Sequence, residues 1–442
     1  MANSFSKEER VAFENLLEGF QDALVLSRNV SIYNTDQTMM ERTRDVIWRP
    51  QPYISTSISN AGAGQNLSSL NGYKAFTQLA VPSSINQTRT VGWEMTALEL
   101  RDALQEQRLG SSAKQKIASD INVAVNTVAA NFGSLVVTRN TAAGATSGFD
   151  DVAQCEAIFN ETGVMDGDRY LALNTRDYNG LAKDLSIATR SFGNQKSDKA
   201  YERAYVGMVA SFDTYKLDYA PRLAAAAGTA KTIDLSAGGG NLYTPAATDA
   251  NGNNVDNRTQ VVTLNNNTGI AVGDCFTIAD VAAVHLITKV STGRSKTFRV
   301  VGTQTDGLST GVGANQIRIS PPLVTPQKSG ATEACSQYQN CVITTPAAGK
   351  AISFTNTTAA GVNCFWHKDA IEILPGRYAI PSDGGVAVMR GSTDQGLELV
   401  MTKRFDQDTL TTKYRIDTLF GVVNKQPEMS GIILFNQSAS TP

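Results

Sequence analysis

Residues that most often carry out catalysis are scarce in this sequence. Only two histidines, His285 and His367, occur among its 442 residues. It has no Gly-x-Ser-x-Gly nucleophile elbow, no Walker phosphate loop and no His-Glu-x-x-His zinc motif. His285 stands between Val284 and Leu286 in a strand-like pattern, which would direct its ring to a polar face. The sequence therefore predicts no catalytic, cofactor-binding or metal site, and a protein that is not an enzyme.

The cysteines allow three interpretations. They are odd in number and scattered, which is typical of reduced thiols in a cytosolic protein: Cys155, Cys275, Cys335, Cys341 and Cys364. Cys335 and Cys341 are close enough in sequence for a disulfide that closes a small loop. Cys335, Cys341, Cys364 and His367 could bind zinc, although the first pair is more widely spaced than in most structural zinc sites. Free thiols are the favoured interpretation.

One polar run has some features of a calcium loop. In the segment Asp249–Asn253, however, the glycine is displaced, and the closing position holds Gln260 instead of glutamate. Asn251-Gly252 is a preferred pair for tight hairpin turns. We therefore interpret this segment as the tip of a polar hairpin.

Composition excludes several classes of protein. The chain carries 39 lysines and arginines against 41 acidic residues, a net charge of −2, so there is no basic excess for tight nucleic-acid binding. No apolar run approaches the roughly 20 residues that a membrane helix needs. The first residues lack the pattern of a secretory signal, and we expect synthesis in a cytoplasm without membrane association.

A long segment without glutamate suggests a change of architecture in mid-chain. No glutamate occurs between Glu202 and Glu333, and glutamate is depleted in strands. Short alternating runs separated by turn residues predict strands in this segment, near 259–264, 274–278, 284–290, 296–301 and 316–319. Strands this short and closely spaced indicate a small antiparallel barrel. We interpret the segment as a β-domain inserted into a mixed α and β host.

The first predicted helix has two distinct faces. Ser6 and Glu9 form a capping box ahead of an apolar series at helical spacing. Glu14, Glu18 and Asp22 recur every four residues on another face. This acidic stripe is either a solvated surface or a surface for a basic partner, and composition alone favours the first.

A second helical region follows a long segment with few helix signals. Residues 50–92 are rich in serine, asparagine and glycine, with a possible strand at Ile54–Ile58 and a flexible turn at Asn60–Gly64, and predict an extended loop. Thr96 and Glu99 form another capping box, and helical residues continue to Phe132. Gly110-Ser111-Ser112 predicts an interruption, with a longer helix from about residue 113.

The remainder of the host is predicted to mix helices and strands. Helices are expected near 151–162 and 174–185, and strands near 134–138, 168–173, 207–212, 363–366, 371–374 and through 404–419. The predicted class is α+β.

A series of short motifs, none of them specific alone, occurs in a fixed order from about residue 100 to residue 431. They are Leu100-Arg101-Asp102, Ser112-Ala113, Gly133-Ser134-Leu135-Val136-Val137-Thr138, Val255-Asp256-Asn257-Arg258, Thr268-Gly269 with Gly273-Asp274, Phe365-Trp366 with Asp369-Ala370-Ile371, and Pro427-Glu428. Together they resemble the major capsid (coat) proteins of short-tailed phages of the Salmonella phage P-22 type.

This resemblance implies the Hong Kong 97-type (HK97-like) capsid fold with a small inserted β-barrel. The parts would be an N-terminal arm (1–49), an E-loop (50–92), a peripheral domain with a spine helix (93–133), an axial domain (134–223 and 347–385), the inserted barrel (224–346) and C-terminal strands (386–442). Each part corresponds to a segment that was predicted from its own residues.

The resemblance also implies partners and sites. Copies of the chain would form the hexamers and pentamers of an icosahedral shell, assembled in the host cytoplasm as a procapsid around a scaffolding protein. The shell would have a portal protein at one vertex and would enclose double-stranded DNA without specific binding. By the same resemblance, Glu14, Glu18 and Asp22 would bind a basic scaffolding helix. Asp249, Asp256 and Arg258 would form ion pairs between capsomers.

Two alternatives stay open at this point. An encapsulin-type compartment shares the fold but would not be expected to have the inserted domain. A carbohydrate-binding surface protein or a glycan hydrolase would account for a β-domain rich in glycine, asparagine and threonine. It would need an export signal and, for catalysis, paired carboxylates on that domain, which has no glutamate before Glu333.

Overall fold

The computed structural model describes residues 7–33, 46–51, 66, 68, 73–96, 103–142, 148–189, 206–303, 312–380, 386–439. The chain divides into two compact units. One consists of Met1–Ile47, Pro82–Val128 and Ile371–Val423, and the other of Trp48–Val81, Ala129–Ala370 and Asn424–Pro442. None of the helices in the described ranges is both long enough and apolar enough to span a bilayer.

The first unit is organised around a six-stranded sheet. Its strand order is β1-β19-β22-β21-β20, and β4 also pairs with β22. The bounds are β1 Ser31–Ile32, β4 Gln87–Thr96, β19 Ile371–Pro375, β20 Ala387–Ser392, β21 Glu398–Asp406 and β22 Thr411–Asn424. The longest pairing joins β4 and β22 over ten residue pairs, from Thr96 opposite Thr411 to Gln87 opposite Phe420.

The N-terminal helix, α1 (Lys7–Ala23), packs its apolar face within this unit. Phe13 and Phe20 are buried, as the helical spacing predicts. Gly391 in β20 permits this packing, because a Cβ there would lie 2.8 Å from Leu17 and 3.0 Å from Phe13. A short 3-10 helix, Leu26–Asn29, follows α1. The predicted partner of Glu9 in the capping box, Ser6, lies outside the described residues.

The longest helix, α2 (Ala103–Phe132), is continuous over 30 residues, about 45 Å. The predicted interruption at Gly110-Ser111-Ser112 is therefore wrong. A glycine inside a helix costs only about 1 kcal/mol relative to alanine, and burial of the apolar stripe outweighs that cost. Ile117, Ile121 and Val125 are all buried. The capping box with Glu99 lies outside the described residues, and Thr96 ends strand β4.

The second unit contains a mixed six-stranded sheet with order β5-β23-β18-β6-β8-β7. The bounds are β5 Leu135–Thr138, β6 Arg169–Asn174, β7 Met208–Val209, β8 Phe212–Leu217, β18 Asn363–His367 and β23 Ser430–Leu434. Two helices, α3 (Phe149–Thr162) and α4 (Thr175–Thr189), contribute to its core, where the rings of Phe159, Phe212 and Phe365 pack together.

One strand predicted in this sheet is wrong. Residues 207–212 form not a single strand but β7 and the start of β8, separated by a tight turn. Ala210 and Ser211 both have positive φ, 43° and 61°, which lies outside the β region of backbone conformation.

The second unit also contains a closed antiparallel sheet. Its strand order is β10-β16-β12-β13-β14-β11, and β15 also pairs with β12. The bounds are β10 Lys231–Ile233, β11 Gln260–Thr263, β12 Cys275–Val284, β13 Ser291–Thr303, β14 Gln316–Ser320, β15 Cys341–Ile343 and β16 Lys350–Phe354. A bridge between Ile233 and Leu264 joins the two ends of this order, so the sheet closes on itself.

The closed sheet is built from one continuous segment around its own apolar core. Phe276 and Phe298 stack at its centre, with ring centroids 5.6 Å apart. Because β16 is one of its strands, the segment continues beyond residue 346. On either side of it, β9 (Arg222–Leu223) and β17 (Ala360–Gly361) pair with each other.

The strand predicted at 284–290 is wrong. β12 ends at Val284, and His285 lies in the turn that leads to β13. The Nδ1 atom of His285 accepts hydrogen bonds from the backbone N–H groups of Ile287 and Thr288. The side chain therefore stabilises a turn, which the apolar residues on either side of it concealed.

A ribbon, an α-helix and two 3-10 helices complete the described part of the chain. A two-stranded ribbon consists of β2 (Val46–Pro50) and β3 (Ala80–Ser84). A fifth helix, α5 (Glu333–Gln337), precedes β15, and 3-10 helices occupy Lys368–Ala370 and Pro427–Met429. The strand predicted at 54–58 and the turn at 60–64 lie outside the described residues.

Candidate assembly surfaces

The acidic face of α1 is directed away from the packed side of that helix. Glu14 and Glu18 are both exposed, one helical turn apart. Neither takes part in an ion pair among the described residues. Asp22 belongs to the same helix, but its side chain is outside the described part.

Buried polar contacts fix the opposite side of α1. The Glu9 carboxylate accepts hydrogen bonds from the Lys403 ammonium at 2.5 Å and the Tyr414 hydroxyl at 3.1 Å. Glu9 is only 9% exposed, so these bonds are little screened by water. The acidic face of α1 is consequently held in a defined position within the first unit.

The polar hairpin predicted around residue 250 is present. An antiparallel bridge joins Thr248 to Asn254, and Gly252 has a φ of +82° at the tip. The Asp249 carboxylate accepts backbone hydrogen bonds from Asn251 and Asn253, both at 2.8 Å. These bonds, the one from Asn253 first, hold the pKa of Asp249 below its ordinary value. The carboxylate thus stays ionised while it stabilises the turn.

Asp256 and Arg258 pair with each other in the isolated chain. The guanidinium donates to the two carboxylate oxygens at 2.7 and 2.9 Å, a bidentate arrangement. The remaining nitrogen, Nη1, donates to the backbone oxygen of Asn424 at 2.8 Å. Of the three residues predicted for this surface, only Asp249 lies at the hairpin tip. The other two form an ion pair at its base.

A set of basic residues on β13, of which Lys296 and Arg299 are buried and Arg294 is half-buried, connects the closed sheet to its surroundings in the second unit. Arg294 lies 3.5 Å from Glu161 of α3, and Lys296 forms an ion pair with Glu428. Arg299, 2% exposed, donates to the backbone oxygen of Ala130 in the last turn of α2. The last carbonyls of a helix lack partners within it and carry partial negative charge, which a guanidinium satisfies.

This basic set was missed in the sequence, although a signal was present. Three charged residues occur within one strand pattern, and Arg299 is flanked by Phe298 and Val300. A charged residue inside an apolar run is rarely buried without a partner. That rule predicts a buried partner for Arg299 but does not identify it.

Comparison with known protein families identifies this architecture. The sequence model of the family described as "P22 coat protein - gene protein 5" matches residues 1–436, nearly the whole chain. The chain belongs to the P22 coat protein family.

Solved phage structures are similar to this coat protein at low sequence identity. A chain of Mycobacterium phage Che8 has a TM-score of 0.44 and 8% identity, with 93% of this chain and 90% of that chain covered. The capsid of cyanophage P-SCSP1u gives 0.43 and 10%, with 92% and 86% covered. The mature capsid of bacteriophage PhiM1 gives 0.42 and 11%, with 92% and 85% covered.

Family membership gives the general function. The protein is the major capsid protein of a tailed bacteriophage, a structural component of the virion that self-assembles into an icosahedral shell. This assignment replaces both alternatives left open by the sequence, an encapsulin-type compartment and a carbohydrate-binding protein or glycan hydrolase. It also describes a structural rather than an enzymatic protein.

The chemistry of the cysteines in this coat protein is that of buried thiols. All five are free and buried. Burial raises the pKa of Cys341 and of Cys364 to about 12, so both stay protonated near neutral pH and are poor metal ligands. Cys341 begins β15 of the closed sheet, whereas Cys364 and His367 lie in β18 of the other sheet. Within the described ranges, no three histidine, cysteine or acidic residues are grouped as a metal site.

Proposed function

We propose that this coat protein assembles around an internal scaffolding protein, and that the acidic face of α1 binds a basic helix of that partner. The observation that supports this proposal is the exposure of Glu14 and Glu18 on a helix whose other side is fixed. Asp22 continues the same four-residue spacing in the sequence. Three carboxylates along one face would meet basic residues at matching spacing on a second helix.

Such a contact would be weak enough to reverse. Each exposed ion pair contributes only about 0–1 kcal/mol, and salt weakens it further. Several pairs side by side would still recruit the partner to a defined place on the subunit, because attraction between complementary surfaces adds to association rate and specificity. Reversibility matters because a scaffold must leave before DNA fills the shell.

The test neutralises this acidic face without changing its shape. Glu14→Gln with Glu18→Gln should lower scaffold binding and procapsid yield, and the loss should be greatest at low ionic strength. Glu94→Gln with Asp408→Asn is the matched control, because it removes two other exposed carboxylates of the same unit. Equal yields from the two double variants would exclude α1 as the scaffold contact.

We also propose a division of the chain into the parts of the HK97-like fold. Its parts would be the arm (1–49), the E-loop (50–92), the peripheral domain (93–133), the axial domain (134–223 and 347–385) and the C-terminal strands (386–442). They would surround an inserted domain, for which the sequence predicts the bounds 224–346. The closed sheet supports the inserted domain, since its strands come from one segment with its own core. Strand β16 belongs to the closed sheet and favours a later end for that domain, after Phe354. The end would precede β17, which pairs with β9 outside the domain.

We further propose that the hairpin at 248–254 contacts a neighbouring capsomer, with Asp249, Asp256 and Arg258 supplying charges. Asp249 is exposed and ionised at the tip. Asp256 and Arg258 would exchange their mutual pair for partners on the neighbour. Replacement of Asp256 by asparagine should then weaken shells more than it weakens free subunits. Shells that resist heat and denaturant as the unmodified ones do would argue against this role.

The remaining partners follow from the same assembly pathway. We propose a portal protein at one vertex, assembly in the cytoplasm of the host bacterium, and enclosure of double-stranded DNA without sequence-specific binding. The near-neutral net charge of −2 supports the last point, because exposed basic clusters would bind phosphates and release counterions. Electron microscopy of particles formed with and without the scaffolding protein tests the pathway as a whole.

A further inference from the structure

Two residues at the end of α5, between strands β14 and β15, bind the main chain of the segment leading into β3. This segment, the stem, comprises residues 73–79, which belong to no helix or strand. The Nε2 atom of Gln337, at the end of α5, donates to the Ala75 backbone oxygen at 2.6 Å. The next residue, Tyr338, donates its hydroxyl to the Thr77 backbone oxygen at 2.9 Å and accepts the Leu79 N–H at 3.3 Å.

These bonds resemble the pairing of a strand with a neighbour. Three alternate stem residues, Ala75, Thr77 and Leu79, each have a backbone group satisfied by the side chain of Gln337 or Tyr338. Residues 73–76 are exposed, so the contact recognises the main chain of the stem rather than its side chains. A single exposed ion pair, Lys74 with Glu333 at 3.3 Å, lies beside it.

The end of the stem lines a cavity of about 60 Å³. Leu79, 1% exposed, lines it together with Gln51, Gln337 and Tyr338. Gln51 donates its N–H to the Leu79 backbone oxygen at 2.9 Å. Gln337 is 1% exposed, and its Oε1 atom has no hydrogen-bond partner among the described residues. The Gln337 side chain is therefore held by its bond to the stem and not by a network of its own.

We propose that Gln337 and Tyr338 form a clamp that positions the stem in the free subunit, so that it joins further copies of this chain in the correct direction during shell assembly. The proposal uses the shell-forming function of the family but not the scaffold contact proposed for α1. The clamp acts through hydrogen bonds to the main chain of the stem. Substitutions at Gln337 and Tyr338 can therefore remove these bonds without changing the sequence of the stem.

Two variants test the clamp. Tyr338→Phe removes the hydroxyl and keeps the ring, and Gln337→Met removes the amide at nearly the same length, together with its unpaired oxygen. In unassembled subunits, hydrogen exchange at the Leu79 amide should accelerate about tenfold in Tyr338→Phe, because two hydrogen bonds are lost. When expressed with the other head proteins of the phage, both variants should form fewer closed shells and more open or misshapen assemblies.

Lys74→Gln is the control, because it removes only the exposed ion pair and should leave exchange and shells unchanged. Hydrogen exchange in peptides from β12 shows whether each variant retains the closed sheet. If one of the two clamp variants loses the sheet, the test uses the other variant. Unchanged exchange at Leu79, or faster exchange with normal shells, would overturn the proposal. Loss of closed shells in the Lys74→Gln control as well would also overturn the proposal. Scaffold binding is measured separately, which keeps this result distinct from that of the α1 surface.

Discussion

The ion pair between Lys296 and Glu428 offers the most direct test of how the closed sheet is held in the second unit. The two side chains are 4% and 14% exposed, so the pair is largely removed from water. Glu428→Gln would leave the Lys296 ammonium buried without a counter-charge. Loss of one member of a buried pair typically costs about 3–5 kcal/mol. We expect about 3 kcal/mol here, since Glu428 retains some exposure.

A second lysine increases the expected effect. Burial lowers the pKa of Lys289, while the Glu428 carboxylate raises it. Without Glu428, the two lysines would face each other with no neutralising charge. In contrast, Lys296→Met combined with Glu428→Leu removes both buried charges, and its stability should return to within about 1 kcal/mol of the original.

The assay is hydrogen exchange measured by mass spectrometry at increasing urea concentrations. Peptides from 291–303 and 430–434 report on the two sides of the pair. Lys296→Met alone and Glu428→Leu alone, together with the double variant, complete a double-mutant cycle. Asp120→Asn is the control, because it disrupts the Lys116–Asp120 pair on the surface of α2, worth about 0.3–0.5 kcal/mol. If Glu428→Gln costs no more than this control, the pair is effectively solvated and our reasoning about burial is wrong.

Three further outcomes are expected. Gly163→Ala should lower the thermal midpoint of unfolding, because Gly163 has a φ of +86° and an added Cβ would lie 2.8 Å from the His285 ring. Adding His285→Ala to this variant should relieve the clash but not the backbone strain of about 1–2 kcal/mol. Arg299→Met should destabilise the protein by about 2 kcal/mol and accelerate exchange at the end of α2, since a buried carbonyl loses a charged donor; unchanged exchange there would contradict the capping role. Burial lowers the pKa of His367, so the fold favours its neutral form, and stability should fall as pH drops below the ordinary value of 6.5; His367→Gln should flatten that dependence in urea titrations.

Local sequence patterns predicted the helices and strands of this fold well where the hydrophobic periodicity and the turn residues agree. The apolar spacing in α1 correctly placed Phe13 and Phe20 in the core, and the glutamate-free segment contains five of the seven strands of the closed antiparallel sheet, β10 to β14. Local propensity failed at Gly110-Ser111-Ser112, because burial elsewhere along α2 outweighs a small local cost. It failed again at His285, where a side-chain bond to the backbone makes a turn within an apolar run.

The candidate surfaces could be predicted only in part. The four-residue spacing of Glu14 and Glu18 identified an acidic face, and the helix indeed exposes it. The pairing of Asp256 with Arg258 and the contact of Arg258 with Asn424 depend on residues brought together by folding. The same is true of Gln337 and Ala75, which are separated by 262 positions in the chain. No local pattern carries information about such distant partners.

The bridge between Ile233 and Leu264 has a consequence for a protein whose copies must associate into a shell. An open sheet presents unpaired backbone groups at its margins, and identical molecules can add to one another there without limit. Joining the first strand to the last withdraws those groups from intermolecular pairing. At this sheet, association between subunits must then use side-chain surfaces, which select one geometry, instead of adding strands without limit.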